Sequence, residues 1–264
     1  MGDAVLRSLQ SLHFPSSQSR PNVQRAGERV RGICFGAVSA RGHGIVPSAH
    51  TLQLPGVVEK LVRWAAAALP ASFTYTSIQV NKDYAAALHL DANNDGPSYI
   101  VGLGDFRGGE LWVHQQRYSD RPWEPPIGGE CAVLPVAGGT WRSFDGNMPH
   151  CTLPFTGTRY TVIYFTQQSH HLISENDRER LRRLGFPMPA PDDSRDAAAA
   201  YPRRADRLEA GQEAYRRWRL QQPDERRTAL RLPETSHMAP APDLRGAAPH
   251  PPSMRCDSGK NCSC

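Results

Sequence analysis

The sequence predicts a mainly β domain with flanking helices (α+β) and a disordered C-terminal tail. Three observations carry this expectation. Short runs rich in β-branched and aromatic residues recur between residues 73 and 166, separated by turn residues, a spacing that suggests a sandwich or barrel. Clear helical patterning lies outside that stretch, at 57–69 and 173–184. From residue 221 onward Pro, Ala and Arg dominate and large apolar residues are few, so little surface is available to offset chain entropy.

Taken in order, residues 1–30 read as an irregular N-terminal segment with only Asp3 and Glu28 as acids. The run 32–39 is a first strand. Pro55 opens a helix at its first position, where its missing N–H costs nothing, and residues 57–69 continue it as an amphipathic stretch. Residues 73–80 alternate and are β-branched and aromatic, hence a strand. Strands follow at 99–104, 110–114, 131–135, 140–144 and 159–166, with Gly108-Gly109 turning the chain. Residues 173–184 form a charged helix ending at Gly185, 188–202 a linker, and 203–220 an Arg-rich helix. The expected organisation is an N-terminal segment (1–30), a domain (31–188), and a linker, helix and tail (189–264). No internal repeat is visible.

The formal charge is +5, distributed unevenly. Residues 1–70 hold eight basic and three acidic residues, 71–170 six and nine, and 171–264 seventeen and fourteen. The central stretch is therefore mildly acidic and lacks the concentrated basic face by which duplex binding shows, although the flanks leave nucleic acid open. The cysteines at 34, 131, 151, 256, 262 and 264 form no disulfide framework, and no secretory apolar region opens the chain. No apolar run reaches the ~18 residues of a membrane helix. The expected location is intracellular, cytoplasmic or nuclear, with a weak organellar transit character in the first 30 residues. Cys256, Cys262 and Cys264 lack four-ligand zinc spacing and read as solvated tail.

Two segments carry chemistry. Leu88-His89-Leu90-Asp91 places an imidazole and a carboxylate on one side of an extended chain, because strand side chains alternate with period two. A second imidazole, His150, stands 59 positions after Asp91 at the start of a hydrophobic strand-like run. Two imidazoles and one carboxylate form a facial triad that holds Fe(II) and leaves adjacent positions free for a co-substrate and O₂. Nine positions beyond His150, Arg159 and Thr161 share a strand face and together suit a distant carboxylate, which a guanidinium fork matches bidentately. The His-x-Asp spacing alone is weak; its order with His150 and the Arg-bearing strand gives it weight.

In Leu88–Asp91, Phe106-Arg-Gly-Gly-Glu-Leu111, Gly138-Gly-Thr-Trp-Arg-Ser-Phe-Asp145 and the run from His150 to Phe165, the chain resembles the Fe(II)/2-oxoglutarate-dependent dioxygenases. The resemblance covers about residues 74–167 and extends weakly to Leu184-Gly-Phe-Pro187. Within that superfamily it looks closest to prolyl-hydroxylase-like and TET/JBP-like members. It implies a double-stranded β-helix, or jelly roll, with iron held by His89, Asp91 and His150. It implies that Arg159 and Thr161 bind 2-oxoglutarate, with Asn81, Tyr84 or Tyr75 as a further polar contact and ascorbate as an optional reductant. The implied activity is hydroxylation of a substrate C–H bond with decarboxylation of 2-oxoglutarate to succinate. Asp91 sets the chain apart from related halogenases, which lack the carboxylate.

Other residues receive plainer readings. His114 is expected to face solvent on its strand, and His170-His171 to lie on the surface after the last strand. Asp105 and Glu110 read as turn chemistry; Trp112, Trp141 and Phe144 read as core, with a minor prospect that one lines a pocket. The substrate stays open between a protein side chain, a modified base and a small metabolite. The rival readings are an oxygenase of the same fold using another reductant, and a catalytically silent module whose basic tail docks a partner.

Overall fold

The computed structural model describes residues 1–17, 30–40, 42–91, 94–114, 131–193 and 201–230. In chain order these form α1 (Gly2–Gln10), β1 (Ser16–Ser17), β2 (Val30–Ala40), β3 (Gly44–Pro47), α2 (Ala49–Gln53), α3 (Pro55–Ala66), β4 (Ser77–Lys82) and β5 (Asn94–Leu103). Then come β6 (Phe106–Gly108), β7 (Leu111–His114), β8 (Cys131–Leu134), β9 (Arg142–Phe144), β10 (His150–Thr152), β11 (Phe155–Gly157) and β12 (Tyr160–Gln167). Helices α4 (Glu175–Arg183), α5 (Arg204–Leu220) and α6 (Asp224–Ala229) close the described chain. The protein is mainly antiparallel β with flanking helices, as its strand-like runs predict.

A seven-stranded sheet runs β1-β2-β4-β12-β5-β9, with β3 paired to β2. A second, three-stranded sheet runs β10-β7-β8, and β11 pairs with β6. The large sheet has two unlike faces, and the alternation of β12 shows why. Tyr160, Val162 and Tyr164 point into the main core with Ile78 and Val80 of β4. Thr161, Ile163, Phe165 and Gln167 point the other way and line a cavity, together with Gln79 and Asn81 of β4. The register Thr161↔Asn81 and Ile163↔Gln79 puts these groups side by side.

Helix α3 covers the apolar face. Pro55 occupies its first turn as expected, and Val58, Leu61, Val62 and Ala65 recur on one buried stripe. Trp64 packs on Trp141 with ring centroids 4.7 Å apart, and the Tyr164 hydroxyl donates to the Leu61 carbonyl at 3.0 Å. Helix α4 begins at Ser174, whose side chain accepts from Asp177 N–H. It ends in two bonds, Phe186 N–H to Leu181 O and Gly185 N–H to Arg182 O, the Schellman pattern.

Three expectations need correction. Residues 2–10 are helical, not irregular: Val5 and Leu9 form an i, i+4 apolar pair buried in the main core. The strand expected at 73–80 starts at Ser77, because Phe73 and Tyr75 join an aromatic cluster ahead of it. The third concerns residues 189–264, read as linker, Arg-rich helix and tail beyond the domain. The Arg-rich helix does form, but Ala214 and Tyr215 of α5 and Leu230 beyond it bury themselves against Trp112, Cys151 and Leu153. The remainder of the tail, with Cys256, Cys262 and Cys264, lies outside the described residues. No helix among the described residues is long and apolar enough to cross a membrane.

Candidate metal centre and its cavity

His89 and His150 meet across an isolated antiparallel bridge. His89 N–H donates to the His150 carbonyl at 3.0 Å, and His150 N–H to the His89 carbonyl at 2.8 Å. Residues opposed in an antiparallel pair carry their side chains on one side, and the two rings lie with centroids 4.2 Å apart. Asp91 returns to that side two residues later, its N–H held by the Gly146 carbonyl at 2.8 Å. Its carboxylate stands 3.7 Å from His89 Nε2 through Oδ1 and 3.8 Å from His150 Nε2 through Oδ2. The three ligand atoms all lie within 4.8 Å of one another.

Each imidazole is tied on its far side to a carbonyl: His89 Nδ1 to Ala87 O at 2.7 Å, and His150 Nδ1 to Met148 O at 2.8 Å. A carbonyl only accepts, so Nδ1 carries the proton and Nε2 turns a lone pair toward Asp91. Two lone pairs and a carboxylate facing one gap repel until a cation enters it. The donor set therefore fits a divalent metal. The imidazoles are nearly buried, with 10% and 5% of their side chains exposed, whereas Asp91 is 41% exposed. The carboxylate side is thus the open one.

A cavity of about 240 Å³ lies over this centre, between the large sheet and β7 and β10. Of the residues expected to contact a co-substrate, Asn81, Tyr84 and Thr161 line it. Tyr75 does not join them: it packs edge-on to Tyr164 and Phe186 in the main core, its ring centroids 5.1 and 5.7 Å from theirs. Gln79, Asn94 and Gln167 add three amides to the lining. The sequence held a signal for two of them, since Gln79 is in phase with Asn81 on β4 and Gln167 with Thr161 on β12. Phe144 also lines the cavity and meets the His150 ring at 5.2 Å, while Trp112 and Trp141 are core.

Arg159 is buried beside the cavity, 2% exposed. Its guanidinium lies between the Phe106 and Phe155 rings, 5.5 and 5.2 Å from their centroids. Nη2 donates to the Gly109 carbonyl at 2.9 Å and Nη1 to the Tyr84 carbonyl at 3.4 Å, while Nε has no hydrogen-bond partner among the described residues. Gly109 has φ +71°, and a Cβ there would sit 2.8 Å from Nε, so the Gly-Gly turn makes room for this side chain. Burial pulls the Arg159 pKa down to about 10, against the raising field of Glu110. It therefore stays protonated at neutral pH.

Two other histidines depart from expectation. His114 is 3% exposed, stacked with Trp112 at an interplanar angle of 4°, on the opposite side of β7 from Val113, which pairs with His150. Burial, then Arg217 on α5, lowers its pKa. His170 is fully buried with Asp95 Oδ2 3.5 Å from Nε2, while His171 is exposed as expected. Both buried rings were misplaced because a strand position and a chain bend say nothing of the helices that later cover them.

No family model matches the chain, and no curated protein matches it. Among solved structures it is similar to NgTET1 in complex with 5mC DNA, at 16% identity and a TM-score of 0.35, over 52% of this chain and 60% of that one. It is also similar to a Pseudomonas putida prolyl-4-hydroxylase (13%, 0.37, 62% and 83%). A bsmA homolog from Methylobium petroleophilum PM1 is a third (12%, 0.34, 62% and 80%). The match thus spans about 60% of the length of NgTET1. The His–Asp–His set on which the sequence resemblance to the Fe(II)/2-oxoglutarate dioxygenases rests is assembled in the fold.

Proposed function

We propose that this chain is a jelly-roll Fe(II)- and 2-oxoglutarate-dependent dioxygenase that hydroxylates a C–H bond of its substrate. The observation that carries the reading is the triad of His89, Asp91 and His150, with both Nε2 lone pairs and one carboxylate turned to a common gap. Three protein ligands on one face suit Fe(II) with open positions. Bound there, iron with 2-oxoglutarate and O₂ supplies the oxidising chemistry, and the protein supplies binding, orientation and exclusion of side reactions. His89 and His150 hold the metal through Nε2 and keep their protons on Nδ1, away from the reaction. Asn81, Tyr84 and Thr161 present the polar end of the cavity to the co-substrate, and Arg159 supplies the positive charge behind it. Ile100, Phe144 and Ile163 line the cavity with apolar surface and exclude water.

The reading predicts succinate formation that requires Fe(II), O₂ and 2-oxoglutarate together, assayed against a panel of prolyl peptides, 5-methylcytosine DNA and small metabolites. Arg159→Ala should raise the apparent KM for 2-oxoglutarate about 100-fold, because losing a charge-assisted contact to a buried partner costs ~3 kcal/mol. Arg159→Lys should fall between, keeping charge but not the fork. Thr161→Val should cost about 1 kcal/mol for one hydroxyl. A second reading has its own observation: the Arg159 donors take the Gly109 and Tyr84 carbonyls, and Arg159 is not among the cavity-lining residues. An Arg159→Ala protein with unaltered 2-oxoglutarate dependence would put an oxygenase using another reductant in first place.

A further inference from the structure

We propose that the stretch Tyr201–Arg207, which leads into the first turn of α5, is a strap that sets the geometry of the metal centre by clamping the turn at 145–148. The inference rests on the metal reading above. Both ligand-orienting carbonyls on the His150 side come from that one turn: Met148 O accepts from His150 Nδ1 at 2.8 Å, and Gly146 O accepts from Asp91 N–H at 2.8 Å. A small rotation of the turn therefore moves two of the three ligands at once. Its own closure is local, through Met148 N–H to Asp145 O at 3.1 Å and Asn147 N–H to Asp145 Oδ1 at 2.9 Å. That leaves the Asp145 side chain as the handle of the turn.

The strap grips the handle and its neighbour. The Tyr201 hydroxyl donates to Asp145 Oδ2 at 2.6 Å, a short bond to a carboxylate. The Arg207 guanidinium donates to the Asn147 carbonyl and lies over the Tyr201 ring, 4.9 Å from its centroid. Further along α5, Gly211 presses on Pro149, the residue before His150: a Cβ there would come within 2.3 Å of the proline ring. Three contacts of different kinds thus meet residues 145, 147 and 149, none of which lines the cavity. A further tie comes from within the fold, Asn147 Nδ2 to the Asn94 carbonyl at 3.0 Å, and Asn94 Nδ2 reaches Asp91 Oδ2 at 3.5 Å. Groups that orient metal ligands from behind are commonly worth 10–100-fold in affinity. A hydroxyl one step further out belongs at the lower end of that range.

The test titrates the full-length apoprotein with Co(II), read by its visible absorption bands, alongside thermal melts. Tyr201→Phe keeps the ring and removes one hydroxyl, and it should weaken Co(II) binding about 10-fold while the apoprotein melt stays within about 2 °C of the parent. Arg207→Ala should also weaken binding, and Arg207→Lys, which can still donate to Asn147, should recover part of the loss. Unchanged affinity in Tyr201→Phe overturns the strap. So does a loss of affinity that merely tracks a lowered melt, which assigns Tyr201 to holding the fold. His150→Ala serves as the control: if it binds Co(II) like the parent, the metal reading itself has failed.

Discussion

Each of His89→Ala, Asp91→Ala and His150→Ala should abolish turnover, with metal affinity falling at least about 100-fold. A structural zinc site with four ligands is worth ~10–16 kcal/mol, so one ligand carries on the order of 3 kcal/mol, which is two factors of ten. Asp91→Ala should cost most, since it also removes the only anion of the set. Isothermal titration with Co(II) or Fe(II) under anaerobic conditions measures the affinity, and succinate formation measures the turnover. The melting temperature of the apoproteins should hold or rise, because the three groups repel one another without a cation. His114 offers no substitute ligand. Its backbone N–H is bound to the Pro149 carbonyl, but its ring stacks with Trp112 toward α5, on the far side of the strand. Full turnover by His150→Ala would refute the triad.

What the sequence disclosed and what it hid follow one physical line. Strand identity and facing are local: the β-branched and aromatic run of β12 and its period of two place Thr161 toward the cavity and Val162 toward the core without knowledge of the partner strands. The triad was legible for the same reason, since His-x-Asp puts two groups on one side and a strand-starting His150 can pair beside them. The destination of Arg159 was not legible. Whether a guanidinium reaches a cavity or tucks between Phe106 and Phe155 depends on a hairpin some 50 residues away. Helix α5 was hidden differently. Its few apolar residues are diluted among charges, so composition argued for solvent, yet Tyr215 and Trp218 suffice to cover Trp112. Helix α1 carried its stripe openly in Val5 and Leu9, and the Ser- and Arg-bearing surroundings obscured it.

Ending the chain at Pro189 should therefore be severe, contrary to what its composition suggests. The truncation removes Tyr215, whose ring meets Trp112 edge-on at 5.1 Å and whose hydroxyl donates to the Leu230 carbonyl, together with Ala214, Trp218 and Leu230 itself. Trp112, Cys151 and Leu153, now 0–1% exposed, would face water. Burying one such large side chain contributes about 1.5–3 kcal/mol, so Trp112 and Leu153 alone amount to ~3–6 kcal/mol. Natural domains hold only ~5–15 kcal/mol in all, and the exposed patch invites association. The expected outcome is a protein that is insoluble or lacks a cooperative melt. The loss reaches the metal centre as well, because Cys151 follows His150 directly and pairs with Trp112 across β10 and β7. A chain ending at Pro233 keeps every contact named here and should melt and bind metal like the parent. Solubility and melting of the two truncations side by side decide the matter: a Pro189 product that melts like the full chain would make α5 an ornament on the surface.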